Sequence, residues 1–205
     1  VGSKMCIRDR KTLSWDKIQQ GDEDAFRQLY DQYADLLYGY GMKIAGDDTV
    51  VTEAIQSLFV YIFEKRETCA EPQSISAYLC VSLRHMIVNE LKRESSGTFK
   101  SLDEVDTNEY RFDLEIDIET AIIRSELEKE QLEALQKELN GLTKQQREVL
   151  YLKYYKKMSP EEIAQVMGLT PRTVYNTTHM AITRLRERLG TSLLLAVMAN
   201  LWIFN

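Results

Sequence analysis

LTKQQREVLYLKYYKKMSPEEIAQVMGLTPRTVYNTTHMAITRLRERL, residues 142–189, decides the fold of the second half of the chain. It contains three helix starts, each marked by capping chemistry. Thr143 and Gln146 form a T-x-x-Q capping box, in which each side chain satisfies a backbone N–H at the other position. Ser159 and Glu162 form a second box, with Pro160 at the first helical position, where its missing N–H removes no helical bond. Thr170 followed by Pro171 marks the third start. Gly168 ends the short helix that runs between Ser159 and Thr170. A short helix, a glycine-containing turn and a second helix make a helix-turn-helix, and a winged-helix-like domain of this kind is expected over residues 130–190. Ile163, Ala164, Met167, Leu169, Val174, Ala181 and Leu185 take the inward positions, with the small Ala164 where the two helices must cross closely.

The opposite face of the last helix presents Arg172, Thr173, Tyr175, Asn176 and His179. These side chains can hydrogen-bond to base edges and phosphates. Arg172 and Thr173 lie at the N-terminal end, the end that normally enters a major groove. Arg184, Arg186 and Arg188 follow near the C-terminus, where they can reach phosphates or complement the helix dipole.

Charge separates the same stretch from the rest of the chain. The 205 residues carry a net charge of −6. Residues 141–190 hold 9 basic and 4 acidic side chains, residues 15–93 hold 8 and 13, and residues 94–120 hold 2 and 9. A basic module on an acidic chain points to nucleic-acid binding by that module.

Outward toward the N-terminus the pattern is helical throughout. Ala25, Phe26, Leu29, Tyr30, Tyr33, Leu36, Leu37, Tyr40 and Ile44 recur at steps of three and four, predicting a helix over 22–45. A second helix is expected over roughly 48–65 and a third from Ser76 to Arg93. They flank a polar loop, 66–76, that contains Pro72, and a short helix near Trp15–Gln19 precedes them. With only 9 Gly and 3 Pro, the chain lacks the turn residues of a many-stranded sandwich or barrel. The fold expected is all-α: a helical domain over 15–93, an acidic linker over 94–129 without sustained periodicity, and the helix-turn-helix domain. Residues 191–205 form an apolar tail whose LLLAVMANLWIF stretch is too short to span a bilayer. Residues 1–14 are read as an N-terminal extension without the apolar stretch of a secretory signal. Its opening VGSKMCIRDR resembles translated adapter sequence and stands outside the fold argument.

Two blocks carry a family resemblance. The first is GDEDAFRQLYDQYADLLYGYGMKIAGD (21–47), VVTEAIQSLFVYIFEKR (50–66) and SAYLCVSLRHMIVNELKR (76–93); the second is residues 142–189. In this order the chain resembles the sigma factors of bacterial RNA polymerase, in particular the extracytoplasmic-function group. The resemblance implies that Glu53, Ile55, Gln56 and Phe59 bind the polymerase clamp. It implies that Arg84, His85, Asn89, Lys92 and Arg93 face the −10 promoter element, and that the loop 66–76 holds a flipped-out base. The helix-turn-helix residues Arg172, Thr173, Tyr175, Asn176, His179 and Arg184 would then read the −35 element. Core polymerase and promoter DNA are the partners implied, with an anti-sigma factor as a further one. This chain departs from the family at Ser57, where an acid is usual, at Tyr78, where a tryptophan is usual, and at His85, Asn89 and Met180.

No Gly-rich phosphate loop, nucleophile-and-base pair or metal-ligand cluster is legible, so neither catalysis nor a cofactor is expected. Cys6, Cys69 and Cys80 make no CxxC pair, which suits a reducing cytoplasm. Two rival readings stand beside the family resemblance. One is a helix-turn-helix regulator that is not a polymerase subunit, and the other is a helical nuclease. The first would ordinarily bring an α/β sensory domain, for which residues 15–93 show no strand pattern, and the second needs clustered carboxylates or histidines.

Overall fold

The computed structural model describes residues 14–96, 110–114 and 126–190. The expectations for the N-terminal extension and the apolar tail lie outside these residues. Among the described residues there is no strand, and so no wing beside the helix-turn-helix. The helices are α1 (Trp15–Gln19), α2 (Glu23–Ala45), α3 (Asp48–Lys65), α4 (Ile75–Ser96), α5 (Glu126–Asn140), α6 (Lys144–Leu150), α7 (Pro160–Met167) and α8 (Pro171–Leu189). A π-helical turn, Tyr151–Tyr155, continues α6.

The caps explain where the helices begin. Asp22 accepts from the Ala25 N–H at the start of α2, and Asp47 accepts from Thr49 and Val50 at the start of α3. Both capping boxes read from the sequence are formed, at Thr143/Gln146 and Ser159/Glu162. The Thr170 side chain caps α8 by accepting from the Thr173 N–H. Each cap satisfies N–H groups that a helix terminus otherwise leaves without a partner.

The first unit is α1 to α4. A Cβ on Gly41 would lie 2.8 Å from Val51 Cγ1, so glycine at that position lets α2 and α3 approach closely. Leu29, Leu37, Leu58, Ile62, Leu79, Leu83 and Ile87 are fully buried between these helices. The second unit is α5 to α8, where Leu135, Leu139, Leu142, Leu150, Ala181 and Leu185 form a small cluster of their own.

The α7 face of the second unit has a different fate. Ile163, Ala164, Val166 and Met167 belong to the same buried cluster as the first unit, because α4 packs against α7. The two units therefore share one core across a seam. Ser74, ahead of α4, donates to Glu162, whose other oxygen completes the α7 capping box.

At the centre of the seam is a carboxylate with no exposure to solvent, Glu148 of α6. Tyr40 of α2 donates to its Oε1 at 2.6 Å, and Arg84 Nε of α4 donates to the same oxygen at 3.1 Å. Tyr110 donates to Oε2, and its ring lies 4.6 Å from the Arg84 guanidinium carbon. Burial alone would lower the Arg84 pKa, but Glu148 and the two phenols outweigh it and hold the guanidinium charged. Burial, followed by the Glu148 charge, pushes both phenols up and keeps them protonated as donors.

Tyr110 belongs to the stretch expected to be an acidic linker without sustained periodicity, and part of that stretch is packed into the seam. Tyr110–Leu114 runs through the seam as an irregular strap. Phe112 is fully buried, its ring 6.2 Å from that of Tyr40 and 5.6 Å from that of Tyr151. The Asp113 N–H donates to the Lys43 carbonyl, Arg147 Nε donates to the Phe112 carbonyl at 2.7 Å, and Gln136 Nε2 donates to the Leu114 carbonyl at 2.8 Å. Arg111 and Asp113 alternate with these residues and face solvent.

Two outcomes follow for stability. Replacing Glu148 by Gln leaves the Arg84 charge buried without a counter-charge and should destabilise the chain by about 3–5 kcal/mol. A Glu148→Leu/Arg84→Met pair should recover most of that loss in denaturant melts, and failure to recover would mean that packing rather than charge holds the seam. The second concerns Lys157, which ends the π-turn at φ 56 while the Met158 N–H bonds to the Leu152 carbonyl. This is a left-handed helix cap occupied by a side chain that disfavours it. Lys157→Gly should stabilise the protein by roughly 1 kcal/mol in the same melts.

Candidate nucleic-acid interface

The outward face of α8 is the best-formed candidate site. The helix begins with the Thr170 cap and Pro171, and the Thr170 and Thr173 hydroxyls are 2.8 Å apart. Arg172, Tyr175, Asn176, His179 and Arg184 are exposed, and Thr173 is half-buried beside the cap. Val174, Thr177, Thr178, Ala181 and Leu185 turn inward. Thr178 satisfies its hydroxyl by donating to the Val174 carbonyl at 2.8 Å. The −35 set is thus brought onto one helix face, with Arg172 at the N-terminal end, where backbone N–H groups and the helix dipole favour phosphate.

The neighbourhood of that face contains residues missed in the sequence. Lys153 Nζ sits 5.6 Å from the Tyr154 ring and 5.9 Å from the Tyr175 ring. Tyr154, Tyr155 and Tyr175 are all exposed. The repeated Tyr and Lys of YLKYYKK (151–157) was the available signal, since amphipathic rings interleaved with cations on a surface suit a polyanion.

The α4 set has a different disposition. Arg93 is exposed and paired with Glu90, while His85, Asn89 and Lys92 are half-buried. Burial, with Arg84 next to it, lowers the His85 pKa and favours the neutral imidazole. Arg84 itself is 3% exposed and committed to Glu148. The expectation that it faces DNA does not hold in this conformation, because α6 and Tyr110 cover it. The loop ahead of α4 is tied to α1: Trp15 Nε1 and Gln19 Nε2 both donate to the Cys69 carbonyl.

On α3, Glu53 and Gln56 are exposed, as a docking surface requires. Ile55 and Phe59 are 6% and 5% exposed and pack inward, Phe59 against the rings of Phe26 and Tyr30. These two support the helix rather than present its surface. The exposed apolar side chains beside Gln56 are instead Val60 and Phe63, with Tyr30 on the neighbouring α2.

Among the described residues no group of histidines, cysteines and carboxylates could hold a metal ion, and no helix is long and apolar enough to cross a membrane.

Comparison with known proteins agrees with this geometry. The family model for sigma-70, region 4 matches residues 132–185, which run from α5 into α8. The RNA polymerase sigma-E factor of Streptomyces antibioticus is 26% identical over 175 residues, covering 85% of this chain and 89% of that protein. The ECF RNA polymerase sigma factor SigL of Mycobacterium tuberculosis is 25% identical over 167 residues, covering 78% and 86%. Among solved structures, the sigma factor RpoE of Bartonella quintana, in complex with the anti-sigma factor NepR, shares the fold. It has a TM-score of 0.54 and 18% identity, covering 81% of this chain and 97% of that one. The region 4 match falls on the helix-turn-helix, and the curated relatives extend across both helical units; the chain is similar along most of its length to RNA polymerase sigma factors, among them members of the extracytoplasmic-function group.

Proposed function

We propose that the chain directs promoter-specific transcription initiation by joining core RNA polymerase and holding the −10 and −35 promoter elements in register. The observation that carries this reading is the α8 face. A capped helix N-terminus presents Arg172, Tyr175, Asn176 and His179 to solvent on a net-basic module of an acidic chain. In this reading the second unit, residues 130–190, takes the −35 duplex through its major groove with Arg172, Thr173, Tyr175, Asn176, His179 and Arg184. The first unit, residues 15–93, takes the polymerase clamp on the surface around Glu53 and Gln56. It takes the −10 strand along α4 with His85, Asn89, Lys92 and Arg93, and with Arg84 once that side chain is uncovered. Captured single-stranded bases offset part of the unpairing cost. The work is binding rather than catalysis, it needs no cofactor and no small-molecule substrate, and it takes place in the cytoplasm. The complex of the Bartonella RpoE with NepR supports proposing an anti-sigma partner here as well.

The rival reading, a helix-turn-helix regulator acting apart from polymerase, makes a different prediction. A sigma factor displaces the housekeeping factor from core enzyme in a competition assay, whereas a free-standing regulator does not.

Two substitutions test the assignment. Arg172→Ala should weaken promoter binding by the holoenzyme by roughly 1–3 kcal/mol and relax selectivity at one or two −35 positions, if it is bidentate to guanine. A uniform loss across all promoter variants would make it a phosphate contact instead. Gln56→Arg should weaken binding to core polymerase while the helical circular dichroism is retained. Loss of the spectrum would show that Gln56 is structural and remove it from the clamp surface.

A further inference from the structure

The strap Tyr110–Leu114 is joined to both units at once. From the first unit it takes the Lys43 carbonyl, the Tyr40 ring and the Arg84 guanidinium. From the second it takes Arg147, Gln136, the Tyr151 ring and Glu148. Its anchors are two buried rings and three hydrogen bonds through its backbone, and it contributes no helix of its own. Arg111 and Asp113 face water, so one edge of the strap is open to solvent while its rings are buried.

What lies beneath gives this placement its consequence. Tyr110 supplies the partner for Glu148 Oε2 and covers Arg84, and Phe112 packs against the stacked rings of Tyr40 and Tyr151. With the strap withdrawn, the seam would have a carboxylate oxygen without a donor and two exposed aromatic faces. A buried ion pair with one ligand missing becomes a liability to the closed state.

We propose that Tyr110–Leu114 is an intramolecular latch that holds the two helical units closed and sequesters Arg84, and that its withdrawal opens the seam. The closure stands on the geometry alone. Its effect on DNA rests on the reading of α4 given under Proposed function.

Cys80 of α4 reports on the seam. It is fully buried, and the groups that act on its thiol include Lys156, Glu148 and Glu162 of the second unit. The test uses the full chain with Cys6 and Cys69 replaced by serine, in three forms: otherwise unchanged, with Tyr110→Ala/Phe112→Ala, and with Asp113→Pro. The proline removes the N–H that bonds to the Lys43 carbonyl, together with the exposed Asp113 carboxylate, and retains both aromatic side chains of the strap. Iodoacetamide alkylation of Cys80 and solution X-ray scattering are followed for each.

Both altered forms should alkylate faster, by roughly 10–100-fold for the double variant, and should scatter as more extended particles. Should the double variant lose its helical circular dichroism, Asp113→Pro carries the decision. Equal protection of Cys80 and equal compactness in all folded forms would overturn the latch. In a parallel arm, binding to a random-sequence duplex with a short unpaired bubble is measured by anisotropy. Tighter binding by the opened forms supports both the latch and the −10 role of α4. Opening without any gain in binding supports the latch and removes α4 from the DNA interface.

Discussion

A single buried carboxylate constrains the arrangement of this molecule. Glu148 accepts from Tyr40, Arg84 and Tyr110, which come from α2, α4 and the strap. Removing an ion from water is expensive, and the cost is offset only when its lone pairs are filled with good geometry. That requirement fixes how α6 sits on the first unit to within hydrogen-bond tolerance. Apolar contacts between α4 and α7 would accept small slides and rotations, but a carboxylate with three donors does not. The ion pair contributes more to the uniqueness of the closed arrangement than to the depth of its energy well.

The same requirement sets the two candidate DNA faces apart. The α8 face looks outward and needs no rearrangement to meet a duplex. The α4 face gives up its arginine to the seam and keeps its neutral histidine half-covered. On the proposed reading, the α8 face is open to duplex in the closed arrangement, whereas α4 can offer Arg84 to separated strands only after the seam has opened. Surface charge acts in the same direction, since closure holds the acidic first unit, residues 15–93, against the unit that contains the net-basic stretch 141–190.

Much of this was legible because it is local chemistry. Thr143, Ser159, Thr170 and their partners are short-range caps, and a short-range rule finds them. The inward residues of α7 and α8 follow from helical periodicity, although periodicity does not say that the α7 residues would pack against α4. The seam was missed for identifiable reasons. Glu148 lies one turn before the buried Leu152, and Arg84 lies on the stripe between Cys80 and Ile87, so each is a charge on an apolar face. A charged residue in such a place is a signal only when its counter-charge is known, and the partner here is 64 residues away. Tyr110-x-Phe112-x-Leu114 alternates with a period of two, the mark of an extended segment, but the surrounding acid concealed it. Ile55 and Phe59 were assigned by resemblance, although the spacing of Val51, Ile55, Phe59 and Ile62 already placed them on the core side of α3.

The π-helical turn has a bearing on which length changes the chain can tolerate. Such a turn holds one residue more than the α-helix it interrupts. Here the wider winding sets the rings of Tyr151 and Tyr155 face to face at 5.1 Å, with Lys156 over both. Excising one residue between 151 and 155 would restore ordinary helix and swing the exit of the chain by about 100°, the angle of one helical step. Tyr151 would lose its stack with Tyr155, and α7 would leave the turn facing away from α4. Surface loops absorb insertions and deletions readily, but this turn cannot, because its extra residue works as a spacer that aligns the helix-turn-helix with the rest of the protein.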